Sequence, residues 1–154
     1  MTNKIKVNWE WKKIDDFSAK EMHEVLYERT KVFVVEQNCV YQEVDELDLN
    51  SWHLVGRNNN KFIAYARIIF PGVKTNMPSI GRVLVNINYR NMGIAKELLT
   101  ECLNKCRIEY HNTTIYLQAQ FRLKAFYESF GFKTVGDVYD DEGIDHIDMQ
   151  LKVD

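Results

Sequence analysis

A turn in the middle of the chain has the residue types of a phosphate-binding site. It spans residues 90–95, follows a β-like run at residues 80–86, and leads directly into a helical pattern. Gly93 at the bend allows several backbone N–H groups to point at one place, and the start of the helix adds unpaired amides and a positive dipole end. Arg90 adds a guanidinium suited to bidentate contact with phosphate. The turn therefore predicts a cradle for a diphosphate group.

Two familiar kinds of nucleotide site do not fit this turn. No Gly-Lys-Ser/Thr follows it, as a nucleoside triphosphate loop would require. A dinucleotide-binding fold places its glycine-rich turn after the first strand, whereas this turn follows the fourth predicted strand. The alternative that stays open is an ordinary strand-to-helix connection, with glycine present for close packing.

A second block, residues 120–132, places Tyr127 on a short helix that ends in Gly131 and Phe132. The two blocks together resemble the GNAT superfamily of acetyl-CoA-dependent N-acyltransferases, in which an Arg/Gln-x-x-Gly-x-Gly/Ala turn precedes a helix ending in Phe-Tyr-Glu-x-x-Gly-Phe. They occur here in that order, about thirty residues apart. Residues 29–37, 39–45, 81–83 and 141–149, with Asp48 and His53, resemble the ElaA-like branch. Three positions depart from the pattern: Asn91, Ala95 and Arg122.

The resemblance implies a single-domain GNAT fold over residues 1–154, of the α/β class, with a mixed central sheet of about six to seven strands and helices on both faces. It implies acetyl-CoA as co-substrate and direct attack by an amine of a small molecule or peptide in a ternary complex. It makes Tyr127 the acid that protonates the leaving thiolate. The residues it assigns to the CoA site are Val83, Leu84 and Val85 beside a gap in the sheet, Arg90, Asn91, Met92, Gly93, Ile94 and Ala95 in the turn, and Gln120 and Phe126.

The sequence identifies the general base, which takes the proton from the amine, less clearly than it identifies the CoA site. Glu43 begins an acidic run that ends at Asp48, and a buried carboxylate there could act as a base or hold a cationic substrate. A solvated acidic loop is the alternative. His53 is the second candidate base and His146 the third, although a single histidine is more often structural. We take Glu43 and His53, with Tyr127, as the catalytic set.

Composition excludes several other classes of protein. The chain has 154 residues with a net charge of −2, and the sequence pI is about 6.1. Neither value favours a nucleic-acid partner, and no apolar run reaches the length of a membrane span. Cys39, Cys102 and Cys106 form an odd set without a signal peptide, which favours reduced thiols in the cytoplasm. The spacing of His and Cys predicts no metal site.

The periodicity of the chain predicts elements in mixed α/β order. Ser18 and Glu21 form a capping box before a first helix, and an apolar stripe marks a second helix over residues 93–109. Strands are predicted at residues 5–11, 52–56, 62–70, 80–86, 113–118, 132–135 and 144–153. Two other classes remain open: a CoA-sensing module without transfer activity and a structural protein. The aromatic first strand leaves a homodimer open as well.

Overall fold

Seven strands form one sheet in the computed structural model, which describes residues 4–154. The strand order is β1-β2-β3-β4-β5-β7-β6, and every neighbouring pair is antiparallel except β4 with β5. This is the predicted mixed sheet. The strands are β1 (Asn8–Lys12), β2 (Ser51–Asn58), β3 (Lys61–Ile69), β4 (Ser79–Val85), β5 (Thr114–Gln120), β6 (Lys133–Asp141) and β7 (Ile144–Lys152).

Helices cover both faces of the sheet, as predicted. Helix α1 (Ala19–Thr30) begins at the capping box, where the Ser18 side chain accepts from the Glu21 amide and the Glu21 side chain accepts from the Ser18 amide. Helix α2 (Ile94–Tyr110) buries the expected stripe, and the short helix α3 (Lys124–Glu128) precedes β6. The buried residues of that stripe are Ile94, Leu98, Leu99, Cys102, Leu103 and Cys106.

Helix α1 continues as a π-helical segment, Lys31–Glu36, which the sequence pattern did not distinguish from ordinary helix. Its wider turn shows in the bonds from the Gln37 amide to the Val32 carbonyl and from the Cys39 amide to the Val34 carbonyl, each spanning five residues. Segments of this kind are frequent at functional sites. Here the segment turns Phe33 towards the sheet, where it is buried beside β4.

Two of the predicted strands differ from the structure by three residues or more at one end, and the other five differ by one or two residues. Strand β1 begins at Asn8 rather than at residue 5. Strand β6 continues to Asp141, through residues that the sequence suggested were a loop. Gly136, at a φ of 78°, lies where the β6–β7 register shifts between Val135 and Tyr139. The extra residues of β6 form a bulge here, and pairing with β7 resumes at Tyr139.

Candidate active site

Strand β4 separates from β5 part of the way along its length. The two strands are paired at Ser79 and Ile80, and the β3–β4 register shifts just beyond that point. Arg82 lies in this β-bulge at a φ of 51°. Bulges bend the strand that carries them. Residues 83–85 therefore lie beyond the last β4–β5 pair, where the two parallel strands have opened a gap in the sheet.

A cavity of about 560 Å³, the larger of two that meet at this gap, lies against the 90–95 turn. Asn91 and Gly93 both adopt left-handed backbone conformations, with φ values of 63° and 78°. Within residues 4–154 no atom other than the chain neighbours lies within 4 Å of a Cβ placed on Gly93. The backbone there is open to close approach by a ligand, which is what a diphosphate cradle requires.

The larger cavity gathers most of the residues that the sequence assigned to cofactor binding. Met92 differs, since it is 37% exposed and does not line the cavity. The predicted residues that line the cavity are Val83, Leu84, Val85, Arg90, Asn91, Gly93, Ile94, Ala95, Gln120 and Phe126. Lining residues that the sequence did not mark are Val32, Phe33, Glu36 and Gln37 of the π-helical segment and its end, with Tyr89, Lys96, Arg122 and Leu123.

Arg90 holds the turn in place through two different contacts. Its Nη1 and Nη2 atoms each lie 2.9 Å from the carboxylate of Glu36, and its Nε donates to the Val85 carbonyl at 3.0 Å. The guanidinium thus ties the turn to β4 and to the π-helical segment. Because Glu36 offsets the charge of Arg90, the remaining positive groups at the turn are Lys96, in the first turn of α2, and the start of the helix itself.

The smaller cavity, of about 330 Å³, lies on the other side of the gap. Its floor includes Gln118 and Gln120 of β5 and His146 of β7. The two cavities share a wall, so that a molecule in one would lie next to a molecule in the other. The residues common to both are Phe33, Gln37, Val83, Gln120, Leu123 and Tyr127.

Tyr127 occupies this shared wall and is 7% exposed. Its ring packs edge-on against Phe126 and Phe132, at centroid distances of 5.2 and 6.0 Å. Burial raises the pKa of Tyr127 to about 12. The phenol therefore keeps its proton across the neutral range, which is the state that a proton donor requires.

Glu43 lies in a buried ionic network rather than against the smaller cavity, and it is 3% exposed. Its carboxylate accepts from Arg29 Nε at 2.7 Å and Nη2 at 3.0 Å, and from Arg82 Nε at 3.1 Å. Arg82 also donates through Nη2 to the Glu43 carbonyl at 2.8 Å. Both carboxylate oxygens are thus occupied by guanidinium donors. The geometry thus gives Glu43 a positioning role: it fastens the bulge of β4.

The rest of the ionic network balances its charge. Asp48 Oδ1 accepts from Arg29 at 2.7 Å and Arg67 at 2.8 Å, and Asp45 pairs with Arg67 at 2.7 and 3.0 Å. Burial by itself would raise the pKa values of these two aspartates, but the arginine contacts lower them on balance. We name as the ionic network the six side chains of Arg29, Glu43, Asp45, Asp48, Arg67 and Arg82.

His53 is fully buried behind this network. A backbone carbonyl can only accept, so His53 Nε2 donates to the Asp48 carbonyl at 2.9 Å, and Nδ1 accepts from the Tyr65 hydroxyl at 2.6 Å. Burial lowers the pKa of His53, which keeps the ring neutral. Both nitrogens are occupied, and the structure does not bring His53 together with Tyr127.

His146 is the histidine that faces the smaller cavity. Its Nδ1 lies 2.7 Å from the Ile144 carbonyl and must donate to it, which leaves Nε2 of the neutral ring with a lone pair. Within residues 4–154 this Nε2 has no hydrogen-bond partner. The ring stacks on Tyr139 at a centroid distance of 6.1 Å, which fixes its orientation.

Cys39 lines the same cavity, but its surroundings do not activate the thiol. It is 6% exposed, and its sulfur donates to the Glu142 carbonyl at 3.4 Å. Burial, with Glu142 and Asp141 nearby, raises the pKa of the Cys39 thiol. A nucleophilic cysteine needs the opposite shift. This environment favours direct transfer over a route through an acyl-cysteine.

Within residues 4–154 no helix combines the length and apolarity needed to cross a bilayer. No group of three or more His, Cys, Asp or Glu side chains there is arranged to hold a metal ion.

The sequence and the fold of the chain match those of one class of protein. The sequence model of the acetyltransferase (GNAT) domain matches residues 14–153, and this chain belongs to that family. Within the family it is similar to ElaA from Escherichia coli K12, with 36% identity over 149 residues that cover 96% of this chain and 97% of ElaA. UPF0039 protein sll0451 from Synechocystis is 45% identical over 150 residues, covering 97% of both chains.

Solved structures agree with this assignment. An acyl-CoA N-acyltransferase from Pseudomonas aeruginosa superposes with a TM-score of 0.90 at 37% identity, covering 94% of this chain and 99% of that one. The crystal structure of E. coli ElaA gives a TM-score of 0.88 at 35% identity, with the same coverage. The resemblance to GNAT acyltransferases and to their ElaA-like branch is therefore confirmed.

Proposed function

We propose that this protein transfers an acyl group from acyl-CoA, with acetyl-CoA as the expected donor, to a primary amine of a small molecule or peptide. The observation that carries the proposal is the meeting of two cavities at Tyr127, beside the gap between β4 and β5. One cavity has the cradle for a diphosphate and the other has polar side chains for an acceptor. This arrangement suits direct attack while both substrates are bound.

The residues of the larger cavity fit CoA. The open backbone at Gly93 and the start of α2 would hold the diphosphate, while Lys96 adds positive charge. The backbone of Val83, Leu84 and Val85 would hold the pantetheine and donate to the carbonyl oxygen as negative charge develops on it. When bound, acyl-CoA supplies an activated thioester carbonyl and a thiolate leaving group.

Two side chains of the smaller cavity are placed to move protons. Tyr127 would give its proton to the sulfur, since burial keeps the phenol neutral. His146 Nε2 would accept a proton from the acceptor's ammonium, directly or through a water, because Nδ1 is already committed to the Ile144 carbonyl. The sequence predicted Glu43 or His53 as the general base. We propose instead that both are positioning residues.

A turnover assay tests the proposed function. The purified chain is mixed with acetyl-CoA and a panel of primary amines, free thiol is measured, and mass spectrometry identifies the product. We expect one thiol for each amide formed, and initial-rate patterns that intersect as a ternary complex requires. If CoA binds but no amine in the panel is acylated and no thiol appears, the protein is a binding module and the proposed function is wrong.

Replacing Gly93 with Val should weaken CoA binding by at least about tenfold, because the new side chain would occupy the approach of the diphosphate. Isothermal titration with CoA measures this. Gly136→Val is the matched control, since Gly136 has the same φ of 78° and is equally free of neighbours among residues 4–154, but lies in β6. Equal weakening in both variants would show that backbone strain alone is responsible.

Replacing His146 with Gln should lower kcat by about 100-fold near neutral pH, in the range expected when a general base is lost. The deficit should shrink as pH rises, because the amine then loses its proton to solvent. His23→Gln, at an exposed position of α1, should keep the wild-type pH profile. A deficit in His146→Gln that stays constant with pH would contradict the base role and leave a structural one.

A further inference from the structure

Three cations converge at one end of the smaller cavity. Arg67 and Arg82 reach it from β3 and β4, and Lys74 reaches it from the loop between those strands. Asp45 also lines this end, and both of its oxygens are bonded to Arg67. Arg67 and Arg82 belong to the balanced ionic network, so Lys74 is the cation here whose charge no bonded carboxylate among residues 4–154 offsets.

Lys74 stands outside the balanced ionic network. Its Nζ donates to the Gln118 side-chain oxygen, and within residues 4–154 it has no carboxylate within 4 Å. Desolvation, followed by the charges of Arg67 and Arg82, lowers the pKa of Lys74. An ammonium has three N–H groups, so two remain free to bind a ligand.

Arg82, which lines the same cavity, also keeps one donor group without a partner in the described part of the chain. Its Nε and Nη2 are bonded to Glu43 and Asp45, while Nη1 has no hydrogen-bond partner within residues 4–154. The side chain is 20% exposed and lines the cavity. Lys74 and Arg82 thus present unused cationic donors to one small space, which is the arrangement that binds carboxylate oxygens.

The sheet register places this cationic end at a defined distance from the proposed reaction point. Lys74 contacts Gln118, whereas Gln120, two residues further along β5, lies in the wall shared with the larger cavity and pairs with His146. Two residues of a strand span about 7 Å. The acidic groups of the cavity, Asp141 and Glu142, lie beyond that point in the β6–β7 turn.

We propose that the acceptor carries a carboxylate as well as the amine, and that Lys74, with Arg82, binds this carboxylate. The inference rests on the proposed function, since it names the substrate class for the same site. A molecule bound in this way has its amine near Gln120, His146 and Tyr127 and its carboxylate at the cationic end. The spacing favours a linear amino acid whose two groups are separated by several bonds over an α-amino acid.

Binding measured by NMR tests this inference without depending on turnover. The complex with CoA is titrated with 4-aminobutyrate, n-butylamine and 1,4-diaminobutane, while the side-chain amide signals of Gln118 and Gln120 are followed. We expect 4-aminobutyrate to bind at least about tenfold more tightly than n-butylamine. Lys74→Met should remove that preference, and Lys61→Met, at the distant β2–β3 turn, should retain it.

Several outcomes would overturn the inference. These are equal affinity for 4-aminobutyrate and n-butylamine, tighter binding of 1,4-diaminobutane than of 4-aminobutyrate, no saturable shift with any probe, or equal weakening of all probes by Lys74→Met. Thiol release is measured in separate samples that contain acetyl-CoA in place of CoA. If 4-aminobutyrate binds as expected but is not acylated, the proposed function fails while the carboxylate subsite stands.

Discussion

Replacing Tyr127 with Phe should lower kcat by about 100-fold or more while the Kd for CoA stays within about twofold. The substitution removes the phenolic proton but keeps the ring that packs against Phe126 and Phe132. Within residues 4–154 the Tyr127 hydroxyl has no hydrogen-bond partner, so its loss should cost little stability. Steady-state kinetics and calorimetric titration with CoA measure the two quantities separately.

Tyr110→Phe is the control for this variant. Tyr110 is a partly buried tyrosine at the end of α2, away from both cavities, and its replacement should leave kcat unchanged. Because burial raises the pKa of Tyr127 to about 12, the wild-type rate should not fall between about pH 7 and about pH 10. A Tyr127→Phe variant with the wild-type kcat would remove the acid role from Tyr127.

Replacing Glu43 with Gln should lower the free energy of unfolding by about 3–5 kcal/mol, because it leaves the buried guanidinium of Arg29 and the partly exposed one of Arg82 without their shared carboxylate. The bulge at Arg82 should also loosen, since Glu43 fastens it through both its carboxylate and its carbonyl. We therefore expect kcat to fall as well, although Glu43 does not face the acceptor. Chemical denaturation gives the change in stability.

Glu24→Gln provides the comparison for Glu43→Gln. Glu24 pairs with Arg57 at 2.6 Å, but its side chain is 39% exposed, so its loss should cost less than about 1 kcal/mol. The pH profile separates the two roles of Glu43. If Glu43 positions β4, the fall of kcat at low pH keeps its midpoint in the Glu43→Gln variant. If that fall disappears in the variant, Glu43 is the general base.

Local signals in the sequence were sufficient for much of the fold. The capping box at Ser18 and the stripe of α2 depend on residues three or four apart, and both are confirmed. The positive φ values of Asn91 and Gly93 follow from residue types that tolerate them. The paired blocks at residues 90–95 and 120–132 sufficed to identify the family.

Contacts between distant parts of the chain could not be derived in the same way. The acidic run beginning at Glu43 resembled either a solvated loop or a catalytic surface, because its partners Arg29 and Arg82 are 14 and 39 residues away. The pairing of Arg90 with Glu36 spans 54 residues. The π-helical turn also escaped detection, since its apolar spacing continues that of α1.

Affinity for a bisubstrate conjugate tests the central claim, that two ligand cavities meet at Tyr127, most directly. In such conjugates the CoA sulfur carries an acetyl bridge to the nitrogen of 4-aminobutyrate or of n-butylamine, so that one molecule fills both cavities. We predict that at least one conjugate binds about 100-fold more tightly than CoA, because the second group binds without a new loss of translational freedom. Binding of both conjugates no tighter than that of CoA itself would contradict the account.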